Sequence, residues 1–314
     1  MGVVSLAIVK LGLVAILGFY LYKKRSINEE ILKFITFFII NFTIPFLIFS
    51  HIINSPRVVL EHSLWKFLLL SLSVFLVGYV LGLIFSFKAG RFKGEFISLV
   101  SLQNAGYLPM NIGFFLFTAA LHEEFLIYII LYLLGFNIIF WSVGSFLIFK
   151  KKGERFKAGS LFTPPIVSTL IALSFVHSGI YKIIPKAIIT PIQMIGDTSF
   201  VLSMIVLGCW LAKITLKGFW EKMSLILRLS SIKLIFMPLI FLVALIRFEV
   251  FSLLGLFTML QAALPSAVSL PIIVDLRQGD SRFVAQGIFI THVFSVFTIP
   301  LWLGLYMKLS GFSF

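Results

Sequence analysis

The sequence predicts an all-α membrane protein: ten transmembrane helices arranged as two inverted five-helix repeats. Three observations carry that prediction. The first is composition. Of 314 residues, 60% are hydrophobic and only 12% charged, and the mean hydropathy is +1.10. A soluble fold of this length has too little interior for so much apolar surface, whereas a bilayer accepts it on the outside. The second is that basic residues gather in alternate short loops. The third is that two distant apolar stretches carry matching polar, proline-bearing interruptions.

Apolar windows of about 20 residues, enough to cross a bilayer, lie near 3–22, 34–54, 66–87, 96–120, 125–149, 160–178, 188–212, 226–246, 250–274 and 284–307. The first lacks a basic start and a small-residue cleavage site, and Lys10 is its only early cation. It reads as a retained span, not a cleaved leader. The odd-numbered loops hold 18 Lys and Arg residues, while the even loops hold five: Arg57, Lys66, Lys182, Lys186 and Arg247. By the positive-inside rule the odd loops face the cytoplasm and both termini lie outside. The expected location is the cell (inner) membrane, multi-pass. The loop Lys150–Gly159 is the most charged stretch and divides the chain into 1–152 and 153–314, with five spans in each part. An odd number per half forces opposite orientations, which makes the repeat inverted. The net charge of +14 is thus a topology signal. It is not a nucleic-acid footprint, since no soluble basic domain is there to bind one. A single cysteine, Cys209, excludes an intrachain disulfide or a cysteine metal site.

The interruption in the fourth span reads Leu102-Gln103-Asn104-Ala105-Gly106-Tyr107-Leu108-Pro109-Met110-Asn111. The ninth span answers with Leu260-Gln261-Ala262-Ala263-Leu264-Pro265-Ser266. Proline removes a backbone donor and pushes the residue before it out of helical geometry. A backbone group freed in hydrocarbon costs several kcal/mol, so such breaks face protein or a solvated cavity. Two interrupted spans at corresponding places of two halves point to a transporter binding site. Spans four and nine are expected to cross antiparallel at mid-membrane. Half-helices beginning after Pro109 and Pro265 would aim positive N-terminal ends at the centre, which suits an anion. The halves before the breaks would offer unpaired carbonyls, which suit a cation or a donor.

Several polar residues here have two readings. Asn104 and Asn111 either satisfy backbone groups freed by the break or hydrogen-bond a substrate carboxylate. Gln103 and Gln261 occupy matching places, where support of the crossing and substrate contact are equal alternatives. Ser266 would donate to an anion at a half-helix start. Asp197 and Lys233 are ionisable groups at membrane depth, costly unless paired, neutralised or wetted. Their depths allow them to meet, as a structural ion pair or as a coupling or gating site, and Lys233 is alternatively a snorkelling side chain. His51 and His292 read as hydrogen-bonded packing more readily than as proton sensors. His62, His122 and His177 fall in or near outward loops. Asn41 and Asn137 read as interhelical bonding groups. No histidine pair has metal-ligand spacing, no glycine-rich phosphate loop is present, and the 37 phenylalanines read as packing and lipid-facing surface.

Five motifs in order resemble the auxin efflux carrier family, which includes plant carriers and bacterial organic-acid permeases. They are Asn41-Phe42-Thr43-Ile44-Pro45 in span two, Thr163-Pro164-Pro165 opening span six, Gly196-Asp197 through Leu207-Gly208, Arg228 through Lys233 to Pro238, and Leu264-Pro265-Ser266-Ala267-Val268 before the turn Asp275–Asp280. Thr163 stands where that family usually has asparagine. The resemblance covers nearly the whole chain. It implies a scaffold part and a transport part, a substrate site where spans four and nine cross, and elevator-like carriage of an organic anion such as a carboxylate or auxin-like acid. The expected partners are that anion and the lipid bilayer. No cofactor is expected, proton and sodium coupling stay open, and so does a homodimer. The competing classes are a sodium- or proton-coupled cation exchanger of related build, a ligand-sensing membrane protein and, with the weakest case, a membrane enzyme. Exchangers typically need adjacent acids in the core, and Asp197 reads as alone at that depth.

Overall fold

Helix boundaries follow local capping chemistry. The Asn28 carboxamide oxygen accepts the Ile31 amide at 2.9 Å, with Glu29 and Glu30 in the first turn behind it. Ser252 caps Gly255 and Asp280 caps Phe283 in the same manner. Thr163 is extended (φ −85°, ψ 154°) because Pro164 follows it, and the next helix opens on that proline.

The computed structural model describes residues 2–61, 63–117, 119–140, 144–149, 162–213 and 218–312. In chain order its helices are α1 (Gly2–Lys23), α2 (Glu29–Phe38), α3 (Ile44–Asn54), α4 (Pro56–Glu61), α5 (Leu64–Phe85), α6 (Lys93–Ser101), α7 (Tyr107–Leu116), α8 (Ala119–Ile138) and α9 (Gly144–Phe149). There follow α10 (Pro164–Ser178), α11 (Lys186–Lys213), α12 (Phe219–Ser231), α13 (Met237–Arg247), α14 (Leu253–Ala263), α15 (Leu270–Leu276) and α16 (Ser281–Ser310). Among the described residues there is no β-strand beyond one isolated bridge. Among the described residues, six helical stretches are long and apolar enough to cross a membrane: Glu29–Asn54, Leu64–Phe85, Leu121–Ile138, Lys186–Lys213, Phe219–Arg247 and Ser281–Ser310. Shorter apolar helices cover Gly12–Lys23, Tyr107–Leu116, Pro164–Ser178 and Leu253–Ala263. Each of the ten apolar windows holds at least one of these helices. The charged loop Lys150–Gly159 lies outside the described residues.

Ile39–Thr43 and Ile232–Phe236 widen into π-helix, each shortly before a proline (Pro45, Pro238). A wide turn makes room for the pyrrolidine ring, which otherwise strikes the carbonyl four residues back. Inside the spans, hydroxyls donate to carbonyls of their own helix, as Ser50 does to Phe46 and Ser101 to Ile97. Leu69, Leu76, Val80 and Ile84 of α5 and Phe297 of α16 point outward, the inside-out pattern that lipid demands.

The helices sort into two packing sets. One holds α1, α2–α3, α10 and α11; a Cβ on Gly208 of α11 would run into the Ala15 carbonyl of α1, so these backbones touch. The other is built from α5, α6, α8, α12, α13, α14, α15 and α16. The sets meet where α1 touches α16 and where α3 and α10 touch α8, and α7 lies between them, against α1 and α11 on one side and α8 on the other.

Candidate functional site

The chain leaves helical geometry at Leu102 (φ −109°, ψ 107°) and resumes it at Tyr107; later it leaves at Leu264 (φ −65°, ψ 145°) and resumes at Leu270. The two gaps lie against each other. The Asn104 amide donates to the Pro265 carbonyl at 2.8 Å, and the Ala267 amide donates to the Leu102 carbonyl at 2.9 Å. Gln103 and Ser266 thereby form an antiparallel bridge. Each interruption satisfies backbone groups that the other leaves open, which is how a broken helix survives without lipid contact.

Placement of the prolines differs from expectation. Pro265 does lie in its gap, forcing Leu264 to be extended. Pro109 does not: it is the third residue of α7, in the first turn, where a missing amide costs no intrahelical bond. The first break therefore comes earlier, at 102–106. Ser266 likewise sits four residues before α15, not at a half-helix start. Its hydroxyl donates to the Leu99 carbonyl at 2.6 Å and its amide to Thr291 Oγ1 at 3.4 Å.

The side chains around the gaps form a hydrogen-bonded set. Gln103 donates to the Tyr132 hydroxyl. His292 Nδ1 lies 2.9 Å from the Ile288 carbonyl, which can only accept, so that nitrogen carries the proton. With the ring neutral, its Nε2 is an acceptor for the Asn104 amide at 3.3 Å. Asn111 donates to the Tyr107 carbonyl at 2.8 Å and to Ser203 of α11 at 3.2 Å. Gln261 donates to the Ala105 carbonyl at 3.4 Å, while its buried Oε1 has no partner among the described residues.

A cavity of about 250 Å³ opens beside the gaps. Its polar walls come from Gln103, Asn104, Asn137, Thr163 and Ser269, and its apolar walls include Tyr107, Phe136 and Phe140. Among the described residues lining it, none is charged. Asn111, Gln261, Pro265 and Ser266 support the breaks from behind; Asn137, Thr163 and Ser269 reach the cavity, though sequence reasoning gave them no binding role.

The structure does not bring Asp197 and Lys233 together. Asp197 meets His51, with Oδ1 and Nε2 3.0 Å apart. Lys233 lies in the π-helical stretch Ile232–Phe236, wholly buried, its ammonium 3.4 Å from Met237 Sδ. Among the described residues it is neither paired with a carboxylate nor snorkelling. At the foot of α16, outside the spans, Asp280 accepts from the Phe283 amide at 2.8 Å and from Lys222 at 3.3 Å. Partial burial opposes its ionisation, but those donors and nearby Arg91 outweigh burial and hold the carboxyl below its ordinary range.

Paired interruptions beside a mostly apolar cavity that carries a few neutral polar groups, inside a multi-pass helical fold, are the architecture of a membrane transport protein. The family model of membrane transport proteins, the auxin efflux carrier family, matches residues 3–160 and 154–303. The chain belongs to that family. No curated relative matches the sequence. The family is one of transporters and not of enzymes, so the protein works in a lipid bilayer on a transported solute.

Proposed function

We propose that the protein is a secondary carrier of a small organic anion, with its site at the crossing of the two interrupted spans. The observation that carries this reading is the backbone pairing of 102–104 with 265–267 beside a cavity whose mostly apolar wall carries a few neutral polar groups. About 250 Å³ is below the roughly 300–1,000 Å³ of drug-sized ligand pockets, a size that suits a small carboxylic acid. Amides and hydroxyls in a water-poor site hold a carboxylate without a salt bridge, because fixed dipoles act strongly at low dielectric. Asn104 and Gln103 are the wall residues assigned to the anion. Gln261, Ser266, Pro109, Pro265 and Asn111 hold the crossing in shape.

The fuller reading is two inverted repeats, 1–152 and 153–314, in the cell membrane with both termini outside. The set holding α1, α3, α10 and α11 serves as scaffold, and the second set moves past it as an elevator. Asp197 and Lys233 tune that movement from separate places.

The test is uptake of labelled malate, malonate, oxoglutarate and indole acetate into proteoliposomes, with voltage, proton and sodium gradients imposed separately. Saturable accumulation of one acid supports the carrier. Movement of sodium or protons without any acid overturns it in favour of a cation exchanger.

A further inference from the structure

Away from the cavity, His51 of α3 stands between two carboxylates. Its ring is 3% exposed, with Nδ1 3.1 Å from Glu123 Oε2 on α8 and Nε2 3.0 Å from Asp197 Oδ1 on α11. Ser55 donates to the same Glu123 oxygen at 3.3 Å. A second cavity of about 280 Å³ reaches the cluster, lined also by Asn111, His122 and Gln193. The imidazole is shut in, yet the carboxylates keep 40% and 44% of their surface open, so protons reach the ring through them.

Counting hydrogens fixes what the arrangement holds. A neutral imidazole has one N–H, and an ionised carboxylate only accepts. Two carboxylates on two ring nitrogens therefore need two protons shared by the three groups. Remove one, and a nitrogen lone pair faces a carboxylate oxygen at 3.0–3.1 Å with nothing between them. The trio then carries two negative charges instead of one.

The cluster also has a meaningful place in the fold. His51 and Asp197 belong to the first packing set and Glu123 to the second. Relative movement of the sets pulls Glu123 off the ring. We propose that His51, Glu123 and Asp197 form a proton-binding site that joins the two helix sets when protonated and parts when a proton leaves to cavity water. Its use in transport rests on the carrier reading above; proton binding itself does not.

Among the described residues, further charged and titratable groups lie on the elements packed against His51. His122 of α8 lines the same cavity, and its buried Nε2 has no partner among the described residues. Glu124 is engaged by Tyr128. On α4, Arg57 and Glu61 pair with each other at the surface. On α10, His177 bonds the Leu173 carbonyl. On α1, Lys10 sits over the Phe115 ring, 5.4 Å from its centroid. Asn54 and Gln193 make a neutral bond of 2.9 Å between α3 and α11.

The experiment is an infrared titration of the full-length protein in lipid nanodiscs from about pH 5 to about pH 10, alongside uptake at matched external pH. Imidazole and carboxylate bands should change together in the wild type and in His122→Gln. That coupled change should be lost in Glu123→Gln and His51→Gln. Where His51→Gln does not fold, Glu123→Gln, with its partly open side chain, carries the comparison. A spectrum that does not respond to pH, or one that responds equally in Glu123→Gln, overturns the site. Titration without any acid uptake would sustain the site and sink the carrier. Acid uptake with a pH profile identical in wild type and Glu123→Gln would sustain the carrier and overturn the link between the proton and the movement.

Discussion

Gly196→Ala should loosen the protein at one defined place. Gly196 sits where α11 crosses α3, and an added Cβ would lie 2.5 Å from the Leu47 amide nitrogen, 2.6 Å from Leu47 Cα and 2.9 Å from the Phe46 carbonyl carbon. All three are backbone atoms, so no side chain can swing aside. Restoring ordinary contact moves the helices apart by about 1 Å. Overpacking of that kind costs about 1–3 kcal/mol. The same displacement stretches the 3.0 Å contact between His51 and Asp197 toward about 4 Å, beyond hydrogen-bonding range. Gly12 of α1 is the control: nothing lies within 4 Å of its Cβ position, and alanine there should be neutral or stabilising by up to about 1 kcal/mol. Thermal unfolding of both variants in nanodiscs, followed by circular dichroism, reads the difference. If Gly196→Ala melts at or above the wild type, the close approach of α3 and α11 is wrong, and with it the placement of Asp197.

Asn104→Ala removes an amide assigned to the carboxylate; at about 1.5–3 kcal/mol for a hydrogen bond to a charged group, the apparent affinity for the transported acid should fall about tenfold to a hundredfold. Unchanged uptake rate and affinity would place the anion elsewhere. Lys233→Met replaces a buried ammonium lacking a carboxylate partner among the described residues, so the melting temperature should hold or rise. Uptake should slow if the ammonium tunes the movement, whereas a marked drop in melting temperature would point to a favourable partner. Asp280→Asn keeps the cap on Phe283 but cannot ionise. Because the native carboxyl is held below its ordinary range, its contribution is complete at neutral pH and fades as pH falls through that lowered value. The wild-type advantage in hydrogen exchange at the first turn of α16 should therefore close below about pH 4. An advantage independent of pH would count against the Lys222 contact.

Much of the fold is written in hydropathy and proline. The break at Pro265 follows from the geometry that proline imposes on Leu264. The earlier break misleads, because Pro109 is as well accommodated in a first helical turn as in a gap; here Leu102 to Gly106, with no proline among them, make the interruption. What the sequence does not show is rotation. Counting residues along a span yields depth, about 1.5 Å per residue, but the face each side chain presents is set by packing, at 3.6 residues per turn. Depth arithmetic therefore allowed Asp197 and Lys233 to meet, and packing turned them to different neighbours. The same gap hid Asn137, Thr163 and Ser269, which come from a helix, a helix cap and the second interruption to one cavity. It also hid the ionisable cluster. His51 lies 72 residues from Glu123 and 146 from Asp197; alone it reads as packing, and Glu123 falls between the fourth and fifth apolar windows. Asp197 reads as a solitary acid, and that solitude weighs against a cation exchanger. The fold gives it a histidine and, across the boundary between the helix sets, a second carboxylate. Three residues unremarkable one by one become a place where a proton and a movement depend on each other.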